Sequence, residues 1–364
     1  MRVLSRDEKA IIFLDGIEYI EYKHKKAILD LFLSPSQIFD DNRLIDGYLQ
    51  RVGKGDVAKT FINALADENF VEELVNKNLR GATDVITIVT DGYPIELKRT
   101  PTPPLVLYAR GNIGLLKKDK FAIVGSRKTL PQYAKRAEDI ALELSSNGIV
   151  IVTGIANGAD TSAIKGGLNS GNIISVFAGE VGKVHPASAN DLTNKILGNG
   201  GLIISEYPCG CVPKVYSYPV RNRIIAGLSR GVLIVSGNLD SGTRYTADYA
   251  LDYGKEVFCL PYGIGVSGGE ICNKLIKSGA VMVENATEIA ECLSIDLKRE
   301  SKTEIVLSEK EKLLYKLIKE GFSDTDSLAE NSNMLIFEII STLGMLELKG
   351  LIVKDPIGNY GARK

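Results

Sequence analysis

The chain has 364 residues, of which 45% are hydrophobic and 24% are charged. This composition is typical of a globular protein of two or three domains, and it excludes wholesale disorder, a collagen-like sequence and a coiled-coil rod. The formal net charge of −1 excludes a globally basic nucleic-acid binder but permits a local basic patch, because the total averages over all faces.

The N-terminal part of the chain is predicted to be helical. The start lacks the apolar core of a signal peptide, and no run of ~20 apolar residues predicts a membrane span. Apolar residues recur at three- and four-residue spacing, as in Ala27, Ile28 and Leu31, which is typical of amphipathic helices. We therefore predict a helical accessory domain over residues 1–80, of the SAM or helix-hairpin-helix kind, in which His24 is solvent-exposed. Residues 81–119 are predicted to hold one strand, Val85–Val89, and a proline-rich connector.

Residues 120–295 alternate between short apolar runs and amphipathic helical stretches. Strands that alternate with helices predict a parallel sheet, and strands that are apolar throughout predict burial on both faces. We therefore expect an α/β fold with a Rossmann-like, doubly wound, mostly parallel sheet. The predicted strands are Phe121–Val124, Ile149–Val152, Ile173–Phe177, Leu202–Ser205, Val232–Val235 and Val257–Leu260.

Residues 303–364 are predicted to form a separate winged-helix-like domain. Three short helices near 308–320, 324–331 and 334–348 precede a small hairpin. The segment carries eight Lys or Arg residues against ten Asp or Glu residues. Because a duplex-binding winged helix is expected to be basic, this balance favours a protein-contact module.

Two loops between a strand and a helix can accept an oxygen anion. In the first, Gly125 permits a tight turn, Ser126 and Thr129 are hydroxyl donors, and Arg127 offers a phosphate-binding fork. The alternative for this loop is a plain turn with an exposed arginine. In the second, Gly154 and Gly158 let a backbone approach closely, Ala156 and Asn157 between them are further candidate contacts, and Asp160 is expected to cap the next helix. Neither loop has the glycine spacing of a dinucleotide or P-loop site.

Two later segments add to this pattern: residues 214–223, in which basic residues and tyrosines occur together, and residues 241–243. Cations among aromatic residues suit a single strand of nucleic acid, because the cations meet phosphates and the rings stack on bases. The alternative is that the arginines form structural pairs with carboxylates and the tyrosines belong to the core. A further loop leads into another helix start, which is either an anion site or an ordinary cap. The residues concerned are Lys214, Tyr216, Tyr218, Arg221, Asn222 and Arg223 in the first segment, and Ser241, Gly242 and Thr243 in the second.

Groups suited to catalysis are few. The chain has two histidines and five cysteines, and the odd number in a long chain argues against a secreted disulfide framework and for a cytoplasmic setting. Cys209-Gly-Cys211 does not have zinc-ligand spacing, so neither a metal nor a cofactor is expected. Glu206 follows a strand and is the candidate base of an enzymatic alternative.

The ordered motifs resemble the DprA/Smf family of bacterial DNA-processing proteins. The resemblance covers residues 85–293 and depends most on Tyr218-Pro-Val-Arg-Asn-Arg-Ile-Ile-Ala-Gly-Leu-Ser229, with Val124-Gly-Ser-Arg127 and Ser241-Gly-Thr243 in support. It implies a homodimer that binds single-stranded DNA without sequence preference during natural transformation and competence. It also implies that the protein protects the strand and helps to load the RecA recombinase past single-strand binding protein, without turnover. Arg127 and Lys214 would contact the strand, and Arg221, Asn222 and Arg223 would build or line the groove.

The sequence departs from the family pattern in several places. Ile164 stands where the family has a histidine, and Tyr218 replaces its usual phenylalanine. Two other functions are also kept open. One is an enzyme that hydrolyses nucleotide N-glycosidic bonds with Glu206 as the base, and the other is an interaction protein whose C-terminal domain holds a partner.

Overall fold

The computed structural model describes residues 3–17, 20–297, 307–355 and 358–362. These residues fall into two compact units, residues 1–297 and 298–364. The predicted division into four parts, at 1–80, 81–119, 120–295 and 303–364, stays a prediction.

Helices fill the first part of the first unit, as the apolar spacing predicts. Helix α1 is fixed at its start by a capping box, in which the Ser5 hydroxyl accepts from the backbone N–H of Glu8 and the Glu8 carboxylate accepts from the N–H of Ser5. Phe13 packs against Phe61 with ring centroids 5.7 Å apart. The helices are α1 (Arg6–Gly16), α2 (Tyr22–Leu29), α3 (Arg43–Arg51), α4 (Gly55–Leu65) and α5 (Glu68–Leu79), with a short 3₁₀ turn at Pro35–Phe39.

A nine-stranded sheet forms the centre of the first unit. The strands are β1 (Asp84–Thr87), β2 (Val106–Gly111), β3 (Lys120–Val124), β4 (Val150–Thr153), β5 (Ile173–Val176), β6 (Leu202–Ser205), β7 (Gly231–Ile234), β8 (Glu256–Cys259) and β9 (Val281–Met282). Their order is β1-β2-β6-β5-β4-β3-β7-β8-β9. All pairs are parallel except β1 with β2 and β2 with β6. The predicted α/β fold with a mostly parallel sheet is confirmed.

Strand β2 lies in the segment that was predicted to be a connector. Its residues Val106–Ala109 are buried, and they pair with β1 on one side and with β6 on the other. Pro103 and Pro104 end just before the strand, so the prolines mark its start rather than a continuing linker.

The chain order reverses between β3 and β7, and this reversal positions the site. From β3 the sheet extends through β4, β5 and β6 in one direction and through β7, β8 and β9 in the other. The register places Val124 beside Ile234, so the loops that follow both strands start at the same edge. Such a switch point is where ligands bind in open α/β sheets.

Eight further helices flank the sheet in the described part of the first unit. They are α6 (Ile95–Lys98), α7 (Pro131–Ser146), α8 (Ala159–Gly167), α9 (Asn190–Gly198), α10 (Ser217–Leu228), α11 (Thr243–Asp252), α12 (Glu270–Lys277) and α13 (Ala286–Cys292). Helices α7 and α8 approach closely at Gly166, where an added Cβ would lie 2.2 Å from the carbonyl oxygen of Glu138.

One apolar core joins the N-terminal helices to the sheet. Its buried apolar residues range from Ala10 to Ile289 along the chain and form a single contiguous cluster. The prediction that His24 is solvent-exposed is wrong: it is 8% exposed, and its Nδ1 lies 2.8 Å from the hydroxyl of Tyr48. The surrounding lysines misled the prediction, because His24 lies on the inward face of α2 together with Ile28.

The described part of the second unit contains three helices and a hairpin. The helices are α14 (Glu309–Lys319), α15 (Thr325–Ser332) and α16 (Ile336–Leu348), and the hairpin strands are β10 (Ile352–Lys354) and β11 (Tyr360–Ala362). Leu314, Leu328 and Leu343 belong to its separate core. Pro356 and Ile357, between the two strands, lie outside the described residues.

Two helical glycines give opposite predictions for the free energy of unfolding. Gly166→Ala forces a methyl group against the backbone of α7 and is expected to cost about 1–3 kcal/mol by overpacking. Gly47→Ala adds its methyl group where nothing lies within 4 Å, so it is expected to stabilise α3 by about 0.5–1 kcal/mol. Urea unfolding of both variants tests this, and a Gly166→Ala variant as stable as the parent would contradict the close approach.

Candidate functional site

A cleft of about 620 Å³ lies at the carboxyl edge of the parallel strands. We call it the carboxyl-edge cleft. It begins where β3 ends at Val124 and is bounded by the loops after β4, β5 and β7 and by helix α10. It therefore occupies the switch point that the strand order creates.

The loop after β3 is locked to the loop after β7. The backbone N–H of Ser126 donates to the carbonyl oxygen and to the hydroxyl of Ser236, both at 3.0 Å. Thr129 donates to the Ser126 carbonyl at 2.8 Å and lies 2.6 Å from the Ser236 hydroxyl. Thr129 thus fixes the loop and does not line the cleft, whereas Gly125, Ser126 and Arg127 do.

Arg127 is exposed and positioned for a ligand. Its guanidinium carbon lies 5.7 Å from the ring centroid of Tyr218, which also lines the cleft. A cation held over an aromatic face keeps its charge while its free N–H groups still point outward. Lys128, which the sequence analysis did not select, lines the cleft beside it.

The loop after β4 lies directly against the first loop. Gly158 has φ of +79° and an added Cβ would sit 2.3 Å from the carbonyl oxygen of Ser126, so only glycine fits. Ala156 and Asn157 line the cleft, whereas Gly154 and Gly158 support it from behind. Asp160 accepts a hydrogen bond from the backbone N–H of Ala156 at 3.2 Å.

Arg221 lies at the base of the cleft and is almost fully buried. Its side chain donates to the carbonyl oxygen of Val176 at the end of β5. Burial lowers the pKa of Arg221 and raises the pKa of Asp160, and each charge partly offsets the shift of the other. The Nε of Arg221 has no partner among the described residues. Arg221 therefore supplies a fixed positive charge beneath the opening.

Arg223 lies only two residues further on, but it faces away from the cleft. Its side chain donates to the carboxylate of Glu206. The side chains of Arg223 and Glu206 are 10% and 15% exposed. Burial raises the pKa of Glu206, an effect that the Arg223 charge opposes. The structure thus gives the two arginines different positions: Arg223 forms the predicted structural pair, and Glu206 does not line the cleft.

The loop after β7 closes the other side of the cleft. Ser241, Gly242 and Thr243 all line it, and α11 begins at Thr243. Asn222 lines the cleft and donates to the carbonyl oxygen of Gly242 at 3.2 Å. The hydroxyl of Ser241 is buried and, within the described ranges, has no hydrogen-bond partner. A ligand oxygen at this helix start would find an available donor.

The loop after β5 contributes residues that the sequence analysis missed. Lys183 is exposed and lines the cleft, together with Glu180 and His185. The sequence could have indicated this loop, because it also follows the carboxyl end of a strand that was predicted to be buried and parallel. Lys214, in contrast, is exposed with its Nζ 5.8 Å from the Tyr216 ring centroid, and it does not line the cleft.

The charge balance of the cleft is positive. Lysine and arginine side chains outnumber carboxylates four to two: Arg127, Lys128, Lys183 and Arg221 against Asp160 and Glu180.

In the described part of the chain we find no group of three or more His, Cys, Asp or Glu residues that could hold a metal ion. No helix described here is both long and apolar enough to cross a membrane.

Comparison with known proteins gives a consistent result. Residues 84–294 match the family described as DNA recombination-mediator protein A. Protein Smf of Escherichia coli is 34% identical over 285 residues, which cover 75% of this chain and 75% of that protein. DNA processing protein DprA of Streptococcus pneumoniae is 38% identical over 206 residues, or 56% of this chain and 72% of the relative.

Two solved structures are similar as well. The X-ray structure of DNA processing protein A from Streptococcus pneumoniae aligns with a TM-score of 0.64 and 28% identity over 80% of this chain and 98% of that chain. The protein of the same name from Helicobacter pylori aligns with a TM-score of 0.52 and 30% identity over 55% and 92% of the two chains. That protein was studied for its single-stranded DNA binding mode.

The buried pair of Arg223 and Glu206 predicts a pH-dependent loss of stability. Removing one partner of a buried pair costs about 3–5 kcal/mol. In Arg223→Met the opposing charge is gone, so the pKa of Glu206 rises further above its unfolded value. A carboxyl with a raised folded pKa contributes stability below its unfolded pKa and loses it as the pH rises. The deficit of Arg223→Met relative to the parent is therefore expected to grow as the pH rises above the range in which a glutamate carboxyl ordinarily titrates.

Glu206→Gln is the matched variant, because residue 206 then no longer titrates. Its deficit in the free energy of unfolding is expected not to grow over the same pH range. Urea unfolding at several pH values distinguishes the two variants. Equal pH trends would show that the Glu206 carboxyl is not the titrating group.

Proposed function

Because this chain belongs to the DNA recombination-mediator protein A family, we propose that it binds single-stranded DNA in the carboxyl-edge cleft. The Helicobacter pylori protein, to which it is similar, binds single-stranded DNA. The observation that carries the proposal is the pairing of the exposed Arg127 with Tyr218 at the opening of the cleft. A phosphate can meet the guanidinium while a base stacks near the ring.

The other lining groups support contacts to the DNA backbone. The helix start at Thr243, the free hydroxyl of Ser241 and the buried charge of Arg221 all favour an anion. Contacts to phosphates fix position and carry no sequence information. We therefore propose binding without sequence preference.

We propose that the protein acts by binding and not by turnover. Glu206, the candidate base, is paired with Arg223 behind the cleft, which supports this proposal.

The family description as a recombination mediator supports delivery of the bound strand to RecA during natural transformation. Further elements of the proposal are protection of the strand, loading of RecA past single-strand binding protein, a homodimer and a cytoplasmic setting.

The two flanking parts are proposed to serve contacts. The N-terminal helices form an accessory domain of the SAM or helix-hairpin-helix kind. Three helices and a hairpin support a winged-helix fold for residues 303–364, of which 303–306, 356–357 and 363–364 lie outside the described residues. Ile336, Phe337 and Ile340 on α16 are more than half exposed, and this supports a protein contact rather than duplex DNA.

Arg127→Ala is expected to weaken binding to every single-stranded sequence alike. Loss of one phosphate contact makes the plot of log affinity against log salt shallower by about 0.7. Fluorescence anisotropy with labelled strands of several sequences at several salt concentrations measures this. Arg51→Ala removes an exposed arginine from α3 that does not line the cleft, and it is expected to change neither quantity. Loss of binding to one sequence alone would contradict the proposal.

Loading of RecA gives a separate prediction. On a strand coated with single-strand binding protein, the chain is expected to increase the rate of ATP hydrolysis by RecA, and Arg127→Ala is expected to lose this effect in proportion to its loss of binding. The control without this chain gives the rate of RecA alone. A protein that binds the strand tightly and leaves the RecA rate unchanged would contradict the mediator role but not the binding.

A further inference from the structure

A second groove with exposed cations runs along helix α5. It has a volume of about 630 Å³ and is lined by Phe70, Glu73, Leu74, Asn76, Lys77 and Arg80. Lys77 and Arg80 are exposed, and the Phe70 ring is 42% exposed. An aromatic face beside two cations is the combination that single strands of nucleic acid contact.

The groove adjoins the carboxyl-edge cleft. An added Cβ on Gly81 would lie 2.6 Å from the Cα of Gly182, so the backbones of these two residues touch. Arg80 precedes Gly81, and the cleft-lining Lys183 follows Gly182. Arg80 and Lys183 are therefore each one residue away from the contact between Gly81 and Gly182.

A second connection joins α5 to the cleft. The backbone N–H of Cys209 donates to the carbonyl oxygen of Asn78 on α5 at 3.2 Å. The N–H of the next residue, Gly210, donates to the carboxylate of Glu180, which lines the cleft, at 3.1 Å. Burial and the nearby Glu180 raise the pKa of the Cys209 thiol, and the charges of Arg80 and Lys77 partly oppose this shift. The C-terminal end of α5 is thus anchored at the rim of the cleft.

The cations of this surface are available to a ligand. Within the part of the chain that the structure describes, no carboxylate lies within 4.0 Å of the charged groups of Lys77, Arg80 or Lys183. Lys9, in the adjoining groove, is instead paired with Glu72. Unpaired cations attract a polyanion more strongly than paired ones.

We propose that single-stranded DNA held in the carboxyl-edge cleft continues past Lys183 and along α5. Arg80 and Lys77 contact successive phosphates, and Phe70 stacks on a base. We call Lys183, Arg80, Lys77 and Phe70 the α5 track. This inference rests on the proposed function, because it gives the exit path of the same strand and assigns a DNA contact to the N-terminal helices.

Strand length separates the track from the cleft. We compare labelled strands of about 6 and about 35 nucleotides, since site sizes of single-strand binding folds span ~4–16 nucleotides. The Lys77→Ala/Arg80→Ala variant is expected to bind the long strand roughly tenfold more weakly at low salt, with a salt slope shallower by about 1.4, because two phosphate contacts are lost. Its affinity for the short strand is expected to equal that of the parent.

The matched control is Arg51→Ala/Lys59→Ala, which removes two exposed cations from α3 and α4 and is expected to bind both strands as the parent does. Parent-like binding of the long strand by the Lys77→Ala/Arg80→Ala variant would overturn the track and leave the cleft proposal intact. Failure of the parent to bind either strand would overturn the proposed function itself.

A spectroscopic test follows from the composition, because the chain contains no tryptophan. Phe70→Trp places a single indole at the far end of the track. Its fluorescence is expected to be quenched when the long strand binds, because a base stacks on the ring, and to stay unchanged when the short strand binds. No quenching by a long strand whose binding is seen by anisotropy would overturn the placement of Phe70 on the path.

Discussion

Helix α10 carries two buried arginines on opposite sides, and the position of the cleft depends on this arrangement. At 3.6 residues per turn, Arg221 and Arg223 point about 200° apart. One donates to the end of β5 beneath the cleft, and the other to Glu206 at the end of β6. Burying a guanidinium is costly unless it is paired or hydrogen-bonded. Rotation of α10 would break both arrangements at once, so the helix is held in one orientation.

That orientation determines what the surrounding residues can do. With Arg221 fixed beneath the cleft, Tyr218 and Asn222, one turn before it and one residue after it, are directed to the opening, where one faces Arg127 and the other holds the loop after β7. On the opposite side, the charges of Asp15 and Arg223 act on Glu206. The same helix therefore carries one buried charge beneath the carboxyl edge of the sheet and another within electrostatic range of Asp15 on the N-terminal helix α1.

The sequence was sufficient for much of the fold, but less so for the site. Strands that are apolar throughout can only be buried, so the parallel sheet and its carboxyl-edge loops follow from local pattern, and most of the residues selected from those loops line the cleft. The different positions of Arg221 and Arg223 could have been inferred from helical periodicity. The prolines just before strand β2 led to the prediction of a connector, and the lysines around His24 led to the prediction that it is solvent-exposed. The contact between Gly81 and Gly182 joins residues far apart in the chain, and no local pattern encodes it.

The mixed charge of the cleft is consistent with a protein that passes on its ligand. Asp160 and Glu180 lie among the cations and reduce the attraction for phosphate, and Asp160 in addition stabilises the buried Arg221. A purely cationic cleft would hold DNA more tightly and release it more slowly, since affinity differences appear mostly in dissociation rates. A mediator has to yield its strand to a recombinase, so the carboxylates serve the proposed function as much as the arginines do. The proposed α5 track would supply additional affinity through separate contacts, each weaker than the cleft as a whole and therefore easier to release.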